Sequence, residues 1–311
     1  MILSASRRTD IPNYYSDWFL NRLGEGFLYV RNPMNPRQVS EIVLSPETVD
    51  CIVFWTKNPE PMMNRLGELK NYPFCFQFTL TGYGADVERN VPDKLTVMAP
   101  IFRRLSERIG RERVVWRYDP ILFTEKYSPE YHLELFGKLA RALKGCTERC
   151  VISFVDTYVK NRKAMAALRI YEPGGQQLSA FAERLGRTAA ENGMEMFSCC
   201  ERMDLEHCGI KHGSCIDQTL IERVIGCGTQ LRRDRNQRPG CGCMESIDIG
   251  RYDTCRNGCV YCYASHDPAG STSGGRSYNP LSPILCGELT ESDRVTPRQM
   301  QSVRKEQLSL F

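Results

Sequence analysis

The chain has 311 residues, 41% of them hydrophobic and 25% charged, with a formal net charge of +4. That length exceeds what one small core needs, so one large α/β domain with additions is expected, and the charge is too mild to argue for nucleic acid by itself. Arg7, Arg8, Thr9 and Asp10 interrupt any apolar N-terminal run, and no stretch of about 20 apolar residues occurs, so neither a secretory leader nor a membrane span is expected and the chain reads as cytoplasmic.

Residues 2–5 read as a short strand that ends in the polar, turn-forming Ser6–Pro12 segment. A helix over 17–24 stopped by Gly24, and a strand over 27–30, follow before the turn cluster Asn32–Pro36. The run 50–55 is apolar on both faces and fits a parallel strand covered by helices. The rhythm then repeats, with helices over 61–72, 94–109, 130–143, 178–192 and 216–225. Strands lie over 74–80, 114–118, 150–155, 195–199 and 247–249. This alternation predicts a parallel sheet, and about eight strands suggest a full or partial TIM-type (β/α) barrel. The polar strand ends, among them Lys57, Arg117 and Asp119, would then gather at the C-terminal face, where such folds place active sites. After Ala264 the composition changes. Residues 267–275 read as a Gly/Ser-rich linker and 276–311 as an extended tail. The expected division is therefore a domain over 1–265, with a cysteine-rich region at 199–243, and a linker and tail over 266–311.

Of the fifteen cysteines, eleven lie after residue 198. Without a leader they read as metal ligands rather than as a disulfide framework. Cys255, Cys259 and Cys262 follow CxxxCxxC, with Tyr261 before the third. Iron–sulfur clusters are normally held by four cysteines. A trio leaves one iron of a 4Fe–4S cluster open to a substrate or cofactor, as in any metal site with a free position. The plainer alternative is a structural zinc knuckle with His266 as fourth ligand. A second group, Cys200, Cys215, Cys241 and Cys243, with Cys199 and Cys208 as substitutes, suits an auxiliary 4Fe–4S cluster. A zinc site completed by His207 or His212, or free thiols, are the alternatives. Cys51, Cys75, Cys146 and Cys150 are expected only to pack.

The segment Cys255–Ala264 resembles the cluster motif of the radical S-adenosylmethionine (SAM) enzymes. That resemblance implies SAM on the open iron, Tyr261 beside its adenine, and a reductase, flavodoxin or ferredoxin as electron donor. The chemistry implied is a 5′-deoxyadenosyl radical that abstracts hydrogen from a substrate, with the reaction class open. Such enzymes carry the cysteine loop after the first strand, whereas here it follows the last, so the chain resembles a circularly permuted radical SAM barrel. Trp55–Asn58 and Arg117–Pro120 resemble strand-end motifs of the spore photoproduct lyase-like branch, which makes Lys57, Arg117 and Asp119 catalytic candidates. A GGE-type motif for the SAM amine is absent. Thr9 and Asp10 stand at its place, and with Tyr261 and Tyr263 they form the candidate cofactor-binding set. Tyr263, Tyr118, Cys199 and Cys200 are conceivable hydrogen donors. As a whole, residues 1–265 resemble a bacterial domain-of-unknown-function family with a SASRRTDIP-like start and a CGC…DIG-YDTC-GCxYCYA segment near the end.

Gln307, Leu308, Ser309, Leu310 and Phe311 resemble the pentapeptide by which bacterial repair proteins bind the DNA sliding clamp, with Leu and Phe as apolar anchors. A clamp partner implies DNA, a lesion or a modified base as substrate. Arg7, Arg8, Arg232, Arg233, Arg235 and Arg238 would then meet phosphates, and Tyr14, Tyr15 and Trp55 would stack bases. RNA, a peptide or a small metabolite is the alternative substrate. A non-enzymatic iron–sulfur or zinc sensor is the reading from another class.

Overall fold

The computed structural model describes residues 1–156, 158, 161–201, 203–238, 240–266 and 278–305. The expected linker and the clamp-like ending lie outside the described residues.

Eight parallel strands form the main sheet, in the spatial order β10 (Ile247–Asp248), β1 (Ile2–Ala5), β4 (Cys51–Thr56), β5 (Phe74–Thr79), β6 (Val114–Ile121), β7 (Arg149–Phe154), β8 (Glu195–Cys199) and β9 (Ile210–Gly213). The end strands β10 and β9 are paired on one side only among the described residues. From β1 onward the spatial order follows the chain order, and β10 rejoins the sheet beside β1.

Side chains alternate across the pleat and build two different faces. One face carries Leu3, Ile52, Phe54, Phe76, Phe78, Trp116 and Ile152. It packs on helices α2 (Ser16–Glu25), α4 (Ala99–Ile109), α5 (Pro129–Ala142) and α7 (Gly175–Glu191) through Phe19, Phe102, Phe136 and Phe181. Stacked pairs such as Trp116–Phe136, with centroids 4.7 Å apart, fill this layer. The other face carries the smaller Ile2, Cys51, Val53, Cys75, Val115 and Val151, and is covered by α8 (Gln218–Ile225) and the cysteine loops at 215 and 241–243. Small residues on this face leave room at the strand ends for the site below.

Several expected elements differ. The expected strand 27–30 is β2 (Phe27–Arg31), and it joins β3 (Gln38–Val43) and β11 (Arg294–Pro297) in a separate three-stranded sheet. Its place in the main sheet is taken by β9. The helix expected over 61–72 is a single turn, α3 (Glu60–Met63), and a 3₁₀ turn (Leu66–Leu69), because Asn64 and Gly67 are weak helix formers. Helix α4 is preceded by a π-helical turn, Lys94–Met98. Helix α2 runs past Gly24 and ends at Gly26, whose φ of 81° is left-handed backbone that glycine adopts without strain. Short helices α1 (Ile11–Tyr14) and α6 (Arg162–Ala166) complete the set.

The stretch expected as an extended tail lies, over 278–305, against the rest of the chain. Ile284, Leu285 and Cys286 are buried, Tyr278 meets Tyr15 edge-on, and β11 pairs in parallel with β3. No described helix is long and apolar enough to cross a membrane.

Candidate functional site

At the C-terminal ends of the strands lies an open cavity of about 440 Å³. The catalytic and cofactor-binding candidates and seven of the candidate metal ligands line it: Lys57, Arg117, Asp119, Thr9, Asp10, Tyr261, Tyr263 and the cysteines 200, 215, 241, 243, 255, 259 and 262. Cys199 lines it as well, whereas Cys208 packs by Ser179 on another side of the sheet. The candidate zinc histidines are elsewhere: His207 meets Ser179 Oγ and His266 meets Asp253.

The loop after β10 is placed by the end of β1. Asp248 accepts from Ser4 Oγ, Ser6 Oγ and the Arg7 amide at 3.1, 2.7 and 2.8 Å. Gly250 is required by close approach, since a Cβ there would stand 2.0 Å from Ser6 Oγ. Further along, Asn257 bridges to the first helix. Its Nδ2 donates to Asp10 Oδ2 at 3.0 Å, and its Oδ1 accepts from Asn13 Nδ2 and Tyr14 OH. Tyr263 OH donates to the Arg7 carbonyl at 2.9 Å. On the opposite side, Val260 N donates to the Val87 carbonyl at 2.9 Å and Asn90 N to the Asn257 carbonyl at 3.1 Å.

Under this loop sits Glu88, wholly buried. It accepts from Lys57 Nζ and Thr81 Oγ1 at 2.7 Å each and from Tyr261 OH, and it pairs with Lys94 Nζ at 2.7 Å. Burial raises a carboxyl, but Lys57 and Lys94 outweigh it and hold Glu88 at about 2. Burial lowers Lys57, but Glu88 and Cys259 outweigh it, so the ammonium stays charged beneath the cysteine loop. Burial pushes the Cys255, Cys259 and Cys262 thiols up to about 12. Asp10 accepts from the Asn13 and Lys57 amides and from Asn257, so its carboxylate ties loops together.

The second thiol group stands across the cavity. Cys199 Sγ and Cys215 Sγ are 2.8 Å apart, Cys215 and Cys241 both meet Cys243, and Cys200 is beside Cys241. Arg117 Nη1 donates to Cys215 Sγ at 2.9 Å while Nη2 pairs with Asp119, which also accepts from Ser153. The Arg7 and Arg117 guanidiniums each lie over the Trp55 ring, 5.2 Å from its centroid. Arg7 Nη2 and Thr9 Oγ1 are buried with no partner among the described residues. As the side chains stand, no three His, Cys, Asp or Glu among the described residues are set to hold an ion.

Sequence reasoning missed Glu88, Lys94 and Asn257. Only Asn257 carried a signal, by lying inside the cysteine motif. Tyr15, expected to stack bases, is buried in the core, and Arg233 is engaged with the Cys241 carbonyl.

The model of a family described as "Domain of unknown function (DUF1848)" matches residues 2–264. No curated protein and no solved structure matches the chain.

Proposed function

The chain belongs to the family matched over residues 2–264, and on that premise we propose that it is a radical SAM enzyme whose cluster is held by Cys255, Cys259 and Cys262. One observation carries the reading: three thiols on one loop line a cavity whose other walls are polar strand ends. The residues present fit such a group. The loop supplies three sulfurs and no fourth, and Thr9 Oγ1 is a buried hydroxyl without a partner among the described residues on the wall of the same cavity. Held there by Cys255, Cys259 and Cys262, a cluster with SAM would supply one-electron reductive cleavage of a sulfonium and hydrogen abstraction from a substrate carbon.

The protein's own residues position and shield that chemistry. Lys57 sets a fixed positive charge beneath Cys259, and Glu88 holds both Lys57 and the Tyr261 hydroxyl. Asp10 and Asn257 fix the loop, and Thr9 is free to meet a polar group of the ligand. The pairing of β10 with β1 supports a permuted strand order: it sets the cysteine loop one strand before β1 in space, although in the chain it follows every other strand of the main sheet. Trp55 and Tyr158, with the Arg7 and Arg117 guanidiniums beside Trp55, bring aromatic surface and positive charge to one cavity, which favours nucleic acid as the substrate class. The clamp-like ending points the same way.

The test is electron paramagnetic resonance of anaerobically reconstituted, reduced protein with and without SAM. A SAM-dependent change that disappears in Cys255→Ala supports the reading. A cluster blind to SAM, or zinc on these three cysteines, sinks it and leaves a structural or sensing metalloprotein.

A further inference from the structure

Cys199, Cys215, Cys241 and Cys243 come from three places, the end of β8, the turn after β9 and the loop before β10, and they meet on the face of the sheet that carries Ile2, Val53 and Val151. All four are buried and none is in a disulfide. Buried cysteines by themselves are ordinary packing residues. The charges around these four are not ordinary. Arg117 lies directly on Cys215, and Arg7 is close enough to Cys243 and Cys215 for their charges to interact. Asp119 matches Arg117, while Arg7 forms no ion pair among the described residues and keeps a buried, unpartnered Nη2. An arginine cannot shed its proton to relieve this. A negatively charged group at the four sulfurs would balance it.

We propose that Cys199, Cys215, Cys241 and Cys243 hold a thiolate-bound metal centre, separate from the Cys255, Cys259 and Cys262 site, with Arg7 and Arg117 offsetting its negative charge. Four thiolates around zinc, or around a 4Fe–4S cluster in its oxidised resting state, carry two negative charges; Arg7, which has no ion pair among the described residues, offsets one, and Arg117, shared with Asp119, lies against Cys215. Binding of zinc, or assembly of the cluster from equal parts of ferrous and ferric iron with sulfide, releases the thiol protons to solvent and needs no net electron. The 2.8 Å between Cys199 and Cys215 is longer than a disulfide bond of about 2.0 Å. It is shorter than the roughly 3.8 Å edge of a tetrahedron with metal–sulfur bonds of about 2.3 Å. Around a single zinc ion the sulfurs must therefore spread by about 1 Å, a side-chain adjustment, whereas a 4Fe–4S cluster binds each thiolate to a different iron and holds them much farther apart, so the spacing favours the single ion. The ligand set takes Cys199 rather than Cys200, because Cys199 is buried with its Sγ 2.8 Å from Cys215 Sγ, whereas Cys200 is only partly buried.

The experiment uses the full chain with Cys255, Cys259 and Cys262 all changed to Ser, purified without oxygen and supplied with iron and sulfide, or with zinc alone. Retention of about four irons with sulfide, or of about one zinc, is expected; the two arms tell the two metals apart. Adding Cys215→Ser and Cys243→Ser should cut the retained metal at least tenfold. Because those changes fall in the core, a second measurement uses the unaltered chain: bound metal should slow alkylation of the four cysteines at least tenfold, read by peptide mass spectrometry. Absence of metal in the first variant with unchanged alkylation rates overturns the proposal. So does a Cys199–Cys215 disulfide in protein kept anaerobic, which would make the pair a redox couple. None of these outcomes depends on a response to SAM, so this inference and the radical SAM reading fail separately.

Discussion

Glu88 shows how much one residue can organise without touching solvent. Two ammonium groups, a threonine and a tyrosine from the cysteine loop all converge on its two oxygens. Removing its charge leaves Lys57 and Lys94 buried without a counter-ion. Glu88→Gln should therefore cost about 3–5 kcal/mol, read as a lower midpoint in urea unfolding. The pH dependence follows from the same pair of charges. The folded carboxyl sits at about 2, below its ordinary 4.5, so the stabilisation is complete above pH 4.5 and is lost as pH falls toward 2. Acid titration of the unfolding midpoint should show that loss in the native chain and not in Glu88→Gln. Tyr261 was legible because it lies within a cysteine motif. Glu88 was not, because its partners come from Thr81, Lys57 and a residue 173 positions away, and nothing in its local sequence marks the convergence.

Helix α5 and strand β6 are joined by a neutral histidine. His132 is buried, with Nδ1 taking the Tyr118 hydroxyl at 2.7 Å and Nε2 donating to the Leu122 carbonyl at 3.0 Å. Burial lowers its pKa to about 4 from 6.5. The folded value lies below the unfolded one, so stability is full above pH 6.5 and declines as pH falls through 4. Thermal unfolding followed by circular dichroism should show a midpoint falling across that window, with the slope flattened in His132→Asn. This window lies above that of Glu88, so the two can be read apart. The strands β4, β5, β6 and β7 were legible as continuous apolar runs, since a parallel strand buries both faces. Strand β3 was not, because Gln38–Val43 alternates polar and apolar residues between proline-rich turns. Strand β9 contains only Ile210 as a core residue and takes its conformation from pairing with β8.

At the scale of the molecule, residues 278–305 bind the first elements to one another. Trp18, Asn21 and Arg22 of α2 donate to the carbonyls of Ser282, Pro280 and Leu281. Asp50, at the start of β4, accepts from Ser302, the Val303 amide and Arg304. Apolar counting misses such docking, because backbone carbonyls carry much of it and Ile284 and Leu285 are its few apolar anchors. A chain ended after residue 277 should lose roughly 3–6 kcal/mol from those two side chains alone, seen as a lower thermal midpoint and faster proteolysis of the 27–43 region. The position of β1 has a consequence for synthesis. It lies inside the sheet, flanked by β4 and by β10, which is made some 240 residues later. At roughly 5–20 residues per second, β1 waits on the order of 12–50 s on the ribosome for its second neighbour. Until then Asp10 lacks Asn257 and Arg7 lacks Tyr263. A nascent chain therefore carries the sheet before it carries a complete site, and a truncated message yields a framework without a centre.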